Sequence, residues 1–301
     1  MSVAEYNFHF STMGCPCALH LQAEAEPAAQ RARTATLAEV DRLDRKYSHY
    51  REDSLLARIA ASAGTTIEVD EETANLLDFA AELHRQSASG FDITTGALTR
   101  LWDGQHDRLP SADEIAQAMR VSGWSQVEWR RPRLRLSVPG MRLDLGGLVK
   151  EYAADRCAQL CREAGIVSGV VDLGGDLALI GPHRDGTPWI VGIKAPRAPG
   201  RAAARIELPS GGLATSGDYE RALIVEGRRY CHIVDPRTGW PVTGFASVSV
   251  VAESCLTAGA AATQAMLLGV AQGGAWLRGL GLPHLCIDTD GNNSGDISVA
   301  T

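Results

Sequence analysis

The 301-residue chain has no stretch of the roughly 18 uninterrupted apolar residues that a membrane-spanning helix needs, so no span is expected. Its opening residues, MSVAEYNFHFSTMG, have neither the basic segment nor the apolar core of an export signal, and no lipid attachment is expected at Cys15. Positive charge is in deficit: 29 Lys and Arg face 36 Asp and Glu, a formal net charge of −7. A nucleic-acid footprint needs a basic face, so no nucleic-acid partner is expected. Phosphate-binding fingerprints are also missing, since neither G-x-G-x-x-G nor a Walker A motif occurs, which argues against a dinucleotide fold of the Rossmann type. The seven cysteines are odd in number and lack paired metal-ligand spacing; the closest two, Cys15 and Cys17, are separated by one proline. An odd count fits free thiols in a reducing compartment, and the expected location is cytoplasmic.

What is present is ordinary globular material, 45% hydrophobic and 22% charged, with no internal repeat, low-complexity run or clear linker. One continuous domain over residues 1–301 is expected. Tyr6 to Leu21 reads as a hairpin broken at Met13-Gly14-Cys15-Pro16. Helical spacing predicts helices over Pro27–Tyr47, from Asp53-Ser54 through Ile59, and from Asp70-Glu71-Glu72 to Leu83. Thr65–Val69 reads as a short strand. Apolar alternation from Val127 to Leu145 predicts a meander of strands, and Gly147 to Gly165 a helix closed by its last glycine. Gly169–Trp240 is strand-dominated, with Arg197–Arg201 as a mobile loop. Cys255–Leu268 and Gly273–Leu280 read as helices before a strand at Leu285–Ile287. Helices and strands come in blocks, which indicates an α+β fold of mixed helices and antiparallel strands.

Small and polar residues concentrate where strands meet turns: LDLGGLVKEYAAD from Leu143, VDLGGDLALIG from Val171, ATSGDYER from Ala214 and HIVDPRTGWP from His232. Glycine pairs at strand ends let a ligand approach the backbone and expose N–H groups to oxygens. Each segment alone is also an ordinary turn or cap. A polar loop, GFDITTG from Gly90, lies between two well-patterned helices, as binding loops do.

In order and spacing these segments, with Met13-Gly14, YSHYREDSLLARI from Tyr47 and TAGAAATQAMLLG from Thr257, resemble the FAD:protein FMN transferases, the ApbE-like flavin transferases. The resemblance implies an α+β fold with a flavin cleft. It also implies an enzyme that moves FMN from FAD to a Ser or Thr hydroxyl of a target protein and releases AMP. The acceptor would be a protein or domain of an electron-transfer enzyme.

By resemblance, Met13 and Tyr50 flank the flat rings, and Asp92, Thr94 and Asp144 contact FAD, with a helix cap as the alternative for Thr94. Lys150 would meet phosphate or ribose near a helix N-terminus. Gly174 and Gly175 would admit the ligand, and Ser216 and Glu220 would lie near the adenosine end. His232 would handle the proton of the attacking hydroxyl, while Asp235 and Thr238 hold its turn. Mg²⁺ would be held by Thr263 and by the carbonyls of Gly147 and Ala262.

Three positions depart from that pattern, one of them Ala97 where a proline is common after Gly96. Gly259 stands where an aspartate ligand is usual, four residues before Thr263, and Glu151 follows Lys150 where a glycine is frequent. With neutral donors only, Mg²⁺ binding is expected to be weakened. The FAD diphosphate would then chiefly hold the ion; a carboxylate from Asp288, Asp290 or Asp296, or no metal at all, are the alternatives. A non-catalytic FAD-binding protein and an FAD pyrophosphatase yielding FMN and AMP are the competing functions.

Overall fold

The computed structural model describes residues 3–62, 64–87, 90–103, 108–198, 200–219 and 222–298. Strands Ala4–Thr12 (β1) and Cys15–Ala23 (β2) pair around Met13 and Gly14, both at positive φ (49° and 75°), the conformation a two-residue antiparallel turn requires. Cys15 and Pro16, expected in the break, begin β2 instead. Helix α1 (Glu26–Tyr47) starts with Pro27 in its first turn. Helix α2 (Leu55–Ala61) is capped by the Ser54 hydroxyl, and α3 (Glu71–Gln86) by the Asp70 carboxylate, as the sequence predicts. Strand β3 (Ile67–Glu68) precedes α3.

One turn of helix, α4 (Gly96–Thr99), closes the GFDITTG loop, and α5 (Ala112–Arg120) follows, begun by a Ser111–Glu114 capping box. The predicted meander supplies only β4 (Val127–Arg130) and β5 (Arg133–Leu136). Met141–Leu145 is not a strand: its backbone is tied to the GFDITTG loop by the Asp144 N–H to the Ile93 carbonyl (2.7 Å) and a lone bridge between Thr95 and Arg142. Helix α6 (Val149–Glu163) follows. Then come β6 (Ser168–Leu173), β7 (Asp176–Gly181), β8 (Trp189–Lys194), β9 (Ala202–Leu208), β10 (Gly212–Gly217), β11 (Ala222–Val225), β12 (Arg228–Cys231) and β13 (Phe245–Ala252). Segment α7 (Cys255–Gly279) is two helices that meet at a kink at Gly269 (φ 70°), in line with the two helices expected; β14 (His284–Asp288) and β15 (Asn293–Gly295) follow.

An eight-stranded sheet, ordered β1-β2-β6-β7-β10-β13-β14-β15 and antiparallel at every step, is the spine of the α+β fold. Alternation of side chains sends Val171, Leu173, Ala178, Ile180, Val248 and Val250 to one face, under α1, α6 and α7. Val170, Leu177, Leu179, Leu213 and Ile287 point the other way and pack against the β8–β9 ribbon. Both faces are therefore covered, which is why these strands read as continuous apolar runs. A smaller core of Leu98, Trp102, Ile115, Leu223 and Val234 joins α4, α5 and the β11–β12 ribbon.

By length and composition α7 could cross a membrane, contrary to expectation. In the fold it is a core helix, with Ala258, Ala262, Ala265 and Met266 buried among the sheet and α6. Its register against α6 follows from one interaction. The Asp155 carboxylate on α6 accepts the first N–H groups of α7, from Cys255 and Leu256, at 2.9 Å each. One turn further along the antiparallel pair, Gly259 faces Glu151; another turn on, Thr263 faces Gly147. Replacing Asp155 by alanine should leave those two N–H groups without acceptors and cost about 1–3 kcal/mol in urea denaturation, whereas asparagine should recover much of the loss.

Candidate active site

The polar centre lies where the start of α6, the end of β10 and the second turn of α7 meet. Lys150, in the first turn of α6, ion-pairs with Asp176 at the start of β7. Asp176 is only 2% exposed, and its other oxygen accepts the Thr215 N–H at 3.0 Å. A buried carboxylate requires such company, so Lys150 is anchored with part of its ammonium facing outward. Beside Thr215, the Ser216 hydroxyl lies 2.9 Å from the Thr263 hydroxyl. Thr263 in turn packs its methyl toward Gly147, and Ala262 is fully buried. Glu151 completes the cluster: it is 7% exposed, one oxygen is 3.9 Å from Lys150 Nζ, and the other has no hydrogen-bond partner. No group of three or more His, Cys, Asp and Glu side chains converges among the described residues. The donor set is instead hydroxyl, carbonyl and carboxylate oxygen, which suits a hard cation such as Mg²⁺ rather than zinc.

His232 enters from the loop after β12. That loop is tied down by Cys231, whose thiol lies 3.9 Å from the Gly217 carbonyl at the end of β10 and accepts the Ile233 N–H at 3.4 Å. The half-buried His232 thus follows directly on the residue that ties its loop to Gly217, the chain neighbour of Ser216. The following turn is held as expected: the Asp235 carboxylate accepts from the backbone and guanidinium of Arg237, and the Thr238 hydroxyl accepts the Trp240 N–H. Burial pushes the Cys231 thiol up to about 12, so it stays protonated and is no nucleophile.

A second polar group forms the rim. Tyr50 is 52% exposed, its ring 3.9 Å from that of His49. His49 Nδ1 lies 3.4 Å from Asp144, whose carboxylate also accepts from the Gly146 N–H and the Thr99 hydroxyl at 2.8 Å each. Burial opposes the charge on Asp144, but the His49, Gly146 and Thr99 contacts outweigh it and hold the carboxyl down at about 2. Met13 sits half-buried at the tip of the β1–β2 hairpin.

Four residues expected to contact the ligand also hold loops and turns together. Asp92 accepts the N–H and hydroxyl of Thr94 (2.8 and 2.6 Å) and the Trp124 N–H (3.0 Å), and the Thr94 hydroxyl accepts the Gly123 N–H at 2.6 Å. With Thr94 fully buried, both residues knot the GFDITTG loop to the Gly123-Trp124 segment. Gly174 and Gly175, at φ 71° and 96°, form the β6–β7 turn. Their N–H groups are taken by the Pro16 carbonyl and the Asp172 carboxylate, and a methyl at position 174 would lie 2.8 Å from Cys15 Sγ. Close packing against Cys15 by itself calls for glycine at position 174. Glu220 lies outside the described residues. The Arg197 loop is anchored, because its guanidinium makes two bonds to Asp218. Asp288 closes its own turn onto Asn292, and Asp296 lies 3.4 Å from His284, so neither shares the centre's hydrogen bonds.

Sequence reasoning did not single out His49, Thr99 or Asp155. Each is an isolated polar residue whose partner is distant in the chain, so only its apolar surroundings could have marked it. Asp144 links the rim to the fold, and its carboxyl sits near 2 against an ordinary 3.8. Its stabilisation is therefore complete above pH 4 and lost as pH falls toward 2. Asp144→Asn should lower stability by about 2 kcal/mol at pH 7, and the deficit should vanish by pH 2 in acid-titrated unfolding.

A family model described as the ApbE family matches residues 13–285. The chain is 31% identical over 260 residues to the FAD:protein FMN transferase of Vibrio cholerae, covering 83% of this chain and 78% of that one. It is 34% identical over 248 residues to the FAD:protein FMN transferase of Treponema pallidum, covering 76% and 68%. Among solved structures, the ApbE protein of Thermotoga maritima matches with a TM-score of 0.90 at 31% identity over 97% of both chains. The flavinyl transferase ApbE of Pseudomonas stutzeri, in its apo form, matches at 0.86 and 29% over 100% and 96%. With the match running from the hairpin tip at Met13 to β14, and the same fold on both faces of the sheet, the chain belongs to the ApbE family.

Proposed function

We propose that this protein transfers the FMN half of FAD to a Ser or Thr hydroxyl of a target protein and releases AMP. The observation that carries this reading is the convergence of the His232 loop on the end of β10, where Ser216 meets Thr263 beside the anchored Lys150. That arrangement supplies a proton acceptor and a fixed cation of the kind that diphosphate cleavage uses, and the relatives named FAD:protein FMN transferase support it.

In this reading the exposed Tyr50 ring and the Met13 thioether receive the flat rings, with Asp144 holding the rim beneath His49. Lys150, steadied by Asp176, offers its remaining N–H groups to a diphosphate oxygen. His232 takes the proton of the acceptor hydroxyl as its oxygen attacks the phosphorus of the FMN half. The bond from that phosphorus to the bridging oxygen breaks, and AMP leaves with the bridging oxygen. Thr263 and the carbonyls of Gly147 and Ala262 would hold Mg²⁺, and Gly259 leaves α7 without a carboxylate at that point. When bound, the ion neutralises charge on the diphosphate. We assign the acceptor to an electron-transfer protein or domain. A cytoplasmic location is supported by seven cysteines that are all free thiols.

The test is to incubate the protein with FAD, Mg²⁺ and a flavin-acceptor domain and weigh the acceptor. A gain equal to FMN, with AMP released, is the expected result. His232→Ala should slow transfer on the order of 10²-fold or more while FAD affinity is unchanged. FMN and AMP without a modified acceptor would instead identify a pyrophosphatase, and tight FAD without product a binding protein.

A further inference from the structure

Two of the departures from the family pattern, Gly259 and Glu151, touch each other. They occupy the same layer of the α6–α7 pair, one turn from the Asp155 cap and one turn from the Gly147–Thr263 contact. A methyl at position 259 would lie 2.5 Å from Glu151 Cγ, 2.9 Å from its Cδ and 3.0 Å from Oε1. The glutamate side chain therefore already fills the space that any side chain at position 259 would use. Only glycine at 259 admits glutamate at 151.

We propose that Glu151 is the anionic ligand of the divalent cation, reaching from α6 into the space that an aspartate on α7 would otherwise supply. The inference rests on the flavin-transfer reading for the presence of the cation, and on this chain's own geometry for the ligand. Glu151 is nine-tenths buried, yet Oε2 has no partner. The Lys150 ammonium stands 3.9 Å from Oε1, beyond hydrogen-bond reach, and is paired with Asp176. A buried carboxylate with a bare oxygen is unfavourable unless a cation takes it. One turn along the helix pair, the Thr263 hydroxyl, 2.9 Å from that of Ser216, and the Gly147 backbone offer neutral oxygens of the kind with which a hard ion completes its shell. The charge that seemed absent from α7 stands on the facing helix.

The decisive measurement is Mn²⁺ binding to the FAD-free protein and in the presence of FAD, read by the EPR signal of free Mn²⁺, with thermal unfolding with and without Mg²⁺. Wild type should bind Mn²⁺ and gain melting temperature with Mg²⁺. Glu151→Gln should weaken Mn²⁺ at least about tenfold and abolish the Mg²⁺-induced rise, while its metal-free melting temperature equals or exceeds that of wild type. The exchange variant Glu151→Gly/Gly259→Asp should recover Mn²⁺ binding, whereas Gly259→Asp alone should destabilise the fold by collision. Wild-type Mn²⁺ affinity in Glu151→Gln overturns the proposal. So does a lower metal-free melting temperature in that variant with the Mg²⁺ response intact, which would mark a packing role, or the absence of Mn²⁺ binding by wild type with or without FAD. None of these results bears on whether an acceptor gains the mass of FMN, so the two readings fail separately.

Discussion

The capping of α7 by Asp155 is the contact from which the rest of the centre follows. A helix N-terminus carries N–H groups with no partner inside the helix, and here a carboxylate on a different helix satisfies two of them. Because the cap comes from α6, it sets the axial register of α6 against α7 and not merely the start of α7. Each further turn then pairs one residue from each helix, Glu151 with Gly259 and Gly147 with Thr263. The same register sets Thr263 against Ser216 on β10, so helix pair and sheet share one reference point.

Burial makes the polar groups of this centre unusually dependent on one another. Asp176 lies beneath Lys150, Asp155 lies beneath the α7 terminus, and the charge of Glu151 adds to burial in pushing the Asp155 carboxyl upward. Three acids crowd one end of α6, yet two of them are matched, one by an ammonium and one by backbone N–H groups. At the rim the balance runs the other way. There the hydrogen bonds to Asp144 exceed the cost of burial, and the acid stays ionised while joining α4 to the His49–Tyr50 segment.

Most helices and the strands of the large sheet were legible because their signals are local. Ser54 and Asp70 cap helices within three residues, and Pro27 and Gly165 mark ends by their own backbone preferences. Met141–Leu145 was misread because apolar alternation there records burial on two sides, against the GFDITTG loop and the core, without a neighbouring strand to pair with. Asp92, Thr94, Gly174 and Gly175 stand at conspicuous positions that the architecture itself also uses. Their polar groups close loops and turns, which a motif reading cannot separate from ligand contact.

By itself the sequence determined most blocks of helix and strand, the α+β class and the membership in a family, since these depend on spacing, turn chemistry and long-range order of motifs. It also displayed Gly259 as a missing acid and Glu151 as an added one, but as two unrelated changes 108 positions apart by simple subtraction. Only the tertiary structure decided that they are one change. Side chains on antiparallel helices meet according to axial register, and that register is fixed by a contact between residues 100 positions apart in the chain. No local pattern encodes it.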